Sequence, residues 1–291
     1  MIYCPYSDAD IPLEEAADEH VIPLALGGAN GLTIPVSRSA NSQLGTEIDG
    51  VLANEFLVHR ARVKEDVRGH SGREPVLRFK NARDKKTGRP LSVTWGKRLE
   101  IYDPIEQRRR TESVAFEMKF KLDPDIRLRF LAKCFLSAGY LVYGDFFRRA
   151  VKHGDPRLLM RGRLGLSATE NASIRTRYFA WLERDGLVGK QLEEFETQMH
   201  ISAAVKGSML VFMPGPANLG IFGSILGLYL GMLNVPADMT DFPRFDEAQD
   251  LGHAIIVQNG RVLRWSHRRL LARVLQEFEK SGCMPDDPGG V

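Results

Sequence analysis

The sequence is poor in the features that mark secreted proteins. Its 291 residues contain only three cysteines, Cys4, Cys134 and Cys283, which are odd in number and far apart. Such cysteines do not predict a disulfide framework. The first residues lack the charged region and apolar core of a signal peptide. We therefore expect a reducing, cytoplasmic setting.

Long apolar runs are also scarce. Leu219–Val235 is nearly all apolar and carries Gly223, Gly227 and Gly231 at four-residue spacing, a pattern typical of packed membrane helices. The run is at the short end of what a span needs and lacks basic flanks. Glycine at this density also fits buried strands joined by turns, and we favour that interpretation. We therefore expect no membrane partner. The alternative is a membrane-associated protein in which this run inserts into the bilayer.

What the sequence does contain is an ordered set of polar and turn-forming residues near its start. In chain order they are Glu19, His20, Pro23, Gly27, Gly28, a β-like run at Leu32–Val36, and Asn41. This order predicts a strand, a turn, a second strand and a helix. A carboxylate, an imidazole and a carboxamide at the edges of such a unit can converge on a divalent cation and a phosphate.

These residues resemble the ββα-metal motif of the HNH endonuclease family. In that family an acidic residue and a histidine precede a proline, a Gly-Gly loop follows, and an asparagine or histidine begins the helix. The resemblance covers only the start of the chain. It implies that His20 is the general base, that Glu19 and Asn41 are metal ligands, and that all three are catalytic residues.

The chemistry of phosphodiester hydrolysis explains these residue types. Attack by water needs a base and a cation that neutralises the charge growing on the phosphate. Histidine changes its charge nearest to neutral pH, so His20 suits the base role. Adjacent strand residues point to opposite faces, which separates Glu19 from His20. Carboxylate and amide oxygens suit Mg²⁺, or Mn²⁺ in its place.

Simpler interpretations of the same residues stay open. His20 could be a structural histidine, and Gly27-Gly28 could be a turn that needs positive φ. Asn41 could only cap a helix. The other histidines, with His70 among them, are scattered and are interpreted as surface or structural residues.

The N-terminal unit differs from the family in the residues that would bind a structural zinc ion. Many relatives hold a structural zinc with two Cys-x-x-Cys pairs, but the corresponding positions here, Cys4–Ser7 and Ser37–Ala40, retain only Cys4. One thiol cannot form a closed zinc site, so we expect no structural zinc and a fold braced by apolar packing. The middle asparagine of the motif has no clean equivalent, and Asn30 is the nearest candidate.

Charge is distributed unevenly. Residues 1–50 contain one basic and eight acidic side chains, whereas residues 51–130 contain 20 basic and 12 acidic ones. A charge run alone is more often a solvated surface, but beside a nuclease-like unit it predicts binding of a polyanion. The predicted nucleic-acid-binding residues are Arg38, Lys80, Arg83, Lys85, Lys86 and Arg89.

The hydrophobic pattern predicts an α+β protein in three parts. They are an HNH-like nuclease unit at 1–60, a basic β-rich segment at 61–122, and a mixed helical and β region at 123–291 with a disordered tail. The periodicity predicts helices at about 40–58, 125–152, 173–184 and 266–280. It predicts strands at 76–79, 92–95, 99–102, 114–118 and within 200–213.

Together these observations predict a divalent-metal-dependent endonuclease that acts on nucleic acid, with DNA as the expected substrate. The alternative is a catalytically inactive nucleic-acid-binding protein that retains the HNH fold. The C-terminal region could select the target or support a homodimer.

Overall fold

The computed structural model describes residues 1–111, 114–120, 122–163, 178–179, 187–243 and 252–281. Within these residues the chain has a mixed α+β architecture with several small antiparallel sheets, which confirms the predicted fold class at that level.

The first 64 residues form two short hairpins followed by helices. The elements are β1 Ile2–Cys4, β2 Ala9–Ile11, β3 Ala16–His20, β4 Thr33–Ser37, α1 Arg38–Leu44, α2 Gly50–Ala53 and α3 Phe56–Lys64. A π-helical turn, Gly45–Asp49, joins α1 to α2. The predicted single helix at 40–58 is broken before α3, where Glu55 is extended, with φ −61° and ψ 137°. Both Glu55 carboxylate oxygens accept hydrogen bonds from the buried Arg127 guanidinium, at 3.0 and 2.9 Å.

The basic segment forms a five-stranded antiparallel sheet of order β8-β7-β6-β5-β9. Its strands are β5 Leu77–Asp84, β6 Pro90–Trp95, β7 Leu99–Asp103, β8 Arg108–Arg110 and β9 Phe116–Glu117. One face buries a small core of its own, formed by Ala82, Leu91, Val93 and Ile101. The predicted strands lie within or beside these elements.

The C-terminal region combines helices with a six-stranded antiparallel sheet of order β10-β13-β12-β11-β14-β15. Its helices are α4 Pro124–Tyr143, α5 Asp145–Ala150, α6 Gly154–Met160, α7 Lys190–Val205 and α8 His267–Ser281. Its strands are β10 Tyr178–Phe179, β11 Ser208–Pro214, β12 Asn218–Ile225, β13 Leu228–Pro236, β14 Ala254–Gln258 and β15 Arg261–Trp265.

Both faces of the six-stranded sheet are covered. Helix α4 packs on one face, where Leu131 and Phe135 share a core with Phe212. Helices α7 and α8 pack on the other face. Burial on both faces explains the apolar run at 219–235, because a strand covered on both sides needs no polar alternation. The run forms the β12–β13 hairpin, which confirms the strand interpretation.

No helix among the described residues is both long enough and apolar enough to cross a membrane.

Two predicted elements in the C-terminal region have different bounds. The predicted helix at 125–152 begins where Asp123 caps α4 but is interrupted at Gly144, which has φ +54°. The strands predicted within 200–213 are wrong before residue 206, because Ile201, Ser202 and Val205 are buried at helical spacing in α7. The predicted helix at 173–184 has only 178–179 described, as a strand, and the predicted tail at 285–291 lies outside the described residues.

The N-terminal elements share one apolar core with α4 and the six-stranded sheet. Ile22 and Leu26 belong to the same buried cluster as Leu131 and Phe212. A buried hydrogen bond from Ser208 Oγ to the Leu26 carbonyl, 2.7 Å long, links segments 182 residues apart. The N-terminal unit is therefore packed directly against the rest of the protein.

Candidate active site

The backbone at residues 16–44 has the predicted order of two antiparallel strands and a helix. Strand β3 pairs with β4, with His20 opposite Thr33, and α1 follows β4 directly. The connection requires the glycine pair. Gly27 has φ +78°, and a Cβ on Gly28 would lie 1.7 Å from the Ile22 carbonyl oxygen. These glycines let the chain turn tightly between the two strands.

His20 is half-buried at the end of β3 and is oriented by Asn30. Its Nε2 lies 3.2 Å from Asn30 Oδ1. An amide oxygen only accepts hydrogen bonds, so Nε2 carries the hydrogen in this arrangement. The ring then keeps its lone pair on Nδ1, which can accept a proton. Asn30, the nearest candidate for the middle asparagine of the motif, thus fixes the tautomer of His20.

Asn41 is anchored to the same strand. Its Nδ2 donates to the Asp18 carbonyl oxygen at 3.2 Å. Its amide oxygen has no hydrogen-bond donor among the residues that the structure describes. Asp18 is exposed and lies two positions before His20, so strand alternation places both on one face of β3. This face therefore combines the imidazole of His20 with the carboxylate of Asp18.

Glu19 lies on the opposite face of β3 and is buried, with an exposed fraction of 5%. Its carboxylate forms an ion pair with the ammonium of Lys133 on α4, and the Lys133 side chain is fully buried. The same ammonium lies 2.5 Å from Asp49 Oδ2. The structure therefore pairs Glu19 with a lysine in the core, the side to which the strand pleat directs it, and its role as a metal ligand with Asn41 stays a prediction.

The electrostatics of this buried cluster keep Lys133 charged. Burial lowers the pKa of Lys133, but the charges of Asp49 and Glu19 outweigh burial and leave the pKa above its usual value. Burial raises the pKa of Asp49 to about 6, against the opposing effect of Lys133. The cluster holds β3 against the π-helical turn that follows α1.

His70 is a neighbour of His20 that the sequence did not reveal. The two ring centroids are 5.2 Å apart and the rings meet edge to face, at 66°. His70 is exposed, in the loop that follows α3. It is fifty residues away from His20 and belongs to no motif of the sequence, so only the packing of this loop reveals it.

The predicted nucleic-acid-binding residues have different surroundings. The Arg38 guanidinium donates to the carbonyls of Glu14 and Ala16, so it fastens the backbone beside β3. Arg89 pairs with Glu106 at 3.2 Å. Arg83 donates to the Gly88 carbonyl at 3.2 Å. Within the described part of the chain, three of the six have neither an ion pair nor a hydrogen bond on the side chain; these are Lys80, Lys85 and Lys86.

The retained cysteine of the zinc pattern has a local role. Cys4 is buried, and its Sγ accepts a hydrogen bond from the Ser37 backbone N–H at 3.2 Å. Among the described residues, no group of three or more His, Cys, Asp or Glu side chains is placed to hold a metal ion.

Comparison with known proteins gives no relative for this chain: no family model, no curated protein and no solved structure matches it.

Proposed function

We propose that the chain is a divalent-metal-dependent endonuclease that hydrolyses phosphodiester bonds of nucleic acid, with DNA as the expected substrate. One observation carries the proposal. The hydrogen bond between His20 and Asn30 leaves Nδ1 of His20 as a base at the end of β3. This matches the role that the resemblance to HNH endonucleases implies.

The face of β3 that carries His20 suits a hard cation. The carboxylate of Asp18 is exposed, and the Asn41 side chain is hydrogen-bonded to the Asp18 backbone carbonyl. Mg²⁺ commonly takes one or two protein oxygens and completes its shell with water and phosphate. Bound here, Mg²⁺ or Mn²⁺ would neutralise charge on the phosphate. Glu19 could serve as a ligand only after leaving Lys133.

The residues of the chain then divide the reaction between them. Nδ1 of His20 accepts a proton from water while the water oxygen forms a bond to phosphorus and the bond to the leaving oxygen breaks. Asn30 keeps the imidazole in the required tautomer. Asp18 and Asn41 are the proposed oxygen ligands of the cation.

Lysines of the five-stranded sheet supply the proposed nucleic-acid contacts. Lys80 is exposed on β5, and Lys85 and Lys86 are exposed in the turn that joins β5 to β6. Since none of the three is neutralised by a neighbouring carboxylate in the described part of the chain, they are available to phosphates. Such contacts position a backbone without reading its sequence.

A cleavage assay tests the proposal. Purified protein is incubated with supercoiled plasmid, single-stranded DNA and RNA, each with Mg²⁺, Mn²⁺ or EDTA. We expect nicking of plasmid with either cation and none with EDTA. Cleavage unaffected by EDTA, or confined to RNA, would contradict the proposal as stated.

A second candidate is a nucleic-acid-binding protein without catalytic activity. The burial of Glu19 against Lys133 favours it, because the acidic residue next to the histidine is then used for stability. Such a protein would shift the electrophoretic mobility of DNA but leave plasmid uncut with every cation. The same purified protein therefore distinguishes the two candidates.

A further inference from the structure

His70 offers an unused polar group at the mouth of the proposed site. Its ring meets that of His20 edge to face at 5.2 Å. It is exposed, and its ring nitrogens have no hydrogen-bond partner among the described residues. An imidazole always carries at least one N–H donor. A group bound against His20 would therefore meet a second donor from a separate segment.

Four ion pairs hold the exposed loop that carries His70. The Arg68 side chain pairs with Asp66 at 3.1 Å and with Glu74 at 3.2 Å. Lys97 on the neighbouring sheet pairs with the same two carboxylates, at 3.3 and 2.9 Å. Each exposed pair contributes little alone, but the four form a network across the base of the loop.

Contacts within the loop fix its tip. The Gly72 backbone N–H donates to the Gly69 carbonyl at 2.9 Å and closes a turn around His70. The Arg68 guanidinium donates to the Gly72 carbonyl at 3.1 Å. Gly69 lies against Ala25, in the connection between β3 and β4, where a Cβ on Gly69 would be 3.4 Å from the Ala25 Cβ. The imidazole is thus positioned beside His20 before any ligand binds.

The two imidazoles together suit a phosphate better than a transition metal. A zinc site needs three or four such ligands, and no third His, Cys, Asp or Glu joins them among the described residues. A phosphodiester under attack gains negative charge on its non-bridging oxygens, and preorganised N–H donors stabilise that charge.

We infer that His70 is a catalytic residue that donates a hydrogen bond to a non-bridging oxygen of the phosphate that His20-activated water attacks. This inference rests on the proposed nuclease function and adds a substrate contact from outside the N-terminal unit. No proton is transferred by His70, so an arginine at this position, which also donates, should replace it.

The test compares His70→Ala, His70→Arg and wild type in plasmid nicking with Mg²⁺, with His200→Ala as a matched control at an exposed histidine of α7. Loss of one such donor lowers kcat by about 10²-fold in comparable sites. We expect a fall of that order for His70→Ala, recovery of most of it in His70→Arg, and no change in His200→Ala. Thermal unfolding of all variants, and their binding of DNA in EDTA, should match wild type.

Two results would overturn the inference alone. One is full activity of His70→Ala. The other is equal inactivity of His70→Ala and His70→Arg in folded proteins, because a donor alone would then not suffice. Absence of cleavage by the wild type with every cation would instead overturn the nuclease proposal, and this inference with it.

Discussion

The buried ammonium of Lys133 contacts the carboxylate of Glu19, the residue that directly precedes His20. The same ammonium contacts Asp49, in the π-helical turn that continues the helix of Asn41. One cation therefore ties the strand of the proposed base to the helix of the proposed metal ligand.

Lys133→Met should destabilise the protein strongly. Removing one partner of a buried ion pair costs about 3–5 kcal/mol, because it leaves a buried charge uncompensated. Urea unfolding at neutral pH measures the loss. Lys206→Met, at an exposed lysine after α7, is the control and should change little. Adding Glu19→Gln and Asp49→Asn to Lys133→Met should recover part of the loss, and an unchanged midpoint in Lys133→Met would show that the pair is unimportant.

Adjacent residues of β3 should respond differently to neutralisation. Asp18→Asn should weaken Mn²⁺ binding, because it removes the negative charge of an exposed carboxylate that we propose as a metal ligand. Titration followed by electron paramagnetic resonance measures this binding. Glu19→Gln should leave Mn²⁺ binding unchanged but lower the free energy of unfolding. Asn41→Ala should weaken the binding, whereas Asn41→Asp should retain it. The reverse pattern would return Glu19 to the metal site, and stoichiometric zinc in elemental analysis would contradict the predicted absence of that ion.

His20→Ala should abolish most cleavage in a protein that still folds and binds DNA. General-base catalysis is typically worth about 10²–10⁴-fold, and the loss should fall in that range. Asn30→Ala should reduce the rate less, because it frees the tautomer without removing the base. Nicking by His20→Ala at the wild-type rate would refute the assignment of the base.

Replacing Lys80, Lys85 and Lys86 together by glutamine should flatten the salt dependence of DNA binding. Each phosphate contact on duplex DNA contributes about 0.9 to the slope of log affinity against log salt. Arg89 is a poorer target, because Glu106 already pairs with it. The matched control is a triple replacement of exposed lysines elsewhere, Lys190, Lys206 and Lys280. If both triple variants keep the wild-type slope, the sheet lysines are only a solvated surface.

Acid should destabilise the protein through His59. Burial and the nearby charge of Arg62 lower the pKa of His59 from 6.5 to about 4. The folded state therefore favours the neutral ring. The contribution of neutral His59 to the free energy of unfolding is fully present above pH 6.5 and is lost as the pH falls towards 4. The expected loss is about 3 kcal/mol, because each unit of pKa difference corresponds to about 1.4 kcal/mol. His59→Leu should flatten the stability profile between these values, whereas His200→Leu should not, and identical slopes would contradict this account.

Local pattern was enough to predict the backbone of the N-terminal unit. The glycine pair requires a tight connection, and the β-like run and Asn41 mark the second strand and the helix, because each of these signals acts within a few residues. The alternation of side chains along a strand also predicted that Glu19 and His20 point to opposite faces of β3. It could not supply Lys133 as the partner, since that contact depends on how a distant helix packs.

Other differences have the same origin. Glu55 leaves the helical conformation because Arg127 binds its carboxylate, and nothing in the neighbouring sequence announces this break. His70 is placed beside His20 by a loop that ion pairs with the five-stranded sheet. Contacts between segments far apart in sequence decided both features, and hydrophobic periodicity carries no information about them.

The hydrogen bond from Ser208 to the Leu26 carbonyl has a consequence for the order of folding. The turn that positions His20 is held by a strand synthesised 182 residues later, and the brace from Lys133 also comes late. During translation, the N-terminal residues emerge without these partners. A competent site therefore forms only when most of the chain has been made, so fragments that end before β11 should carry every proposed catalytic residue and still be inert.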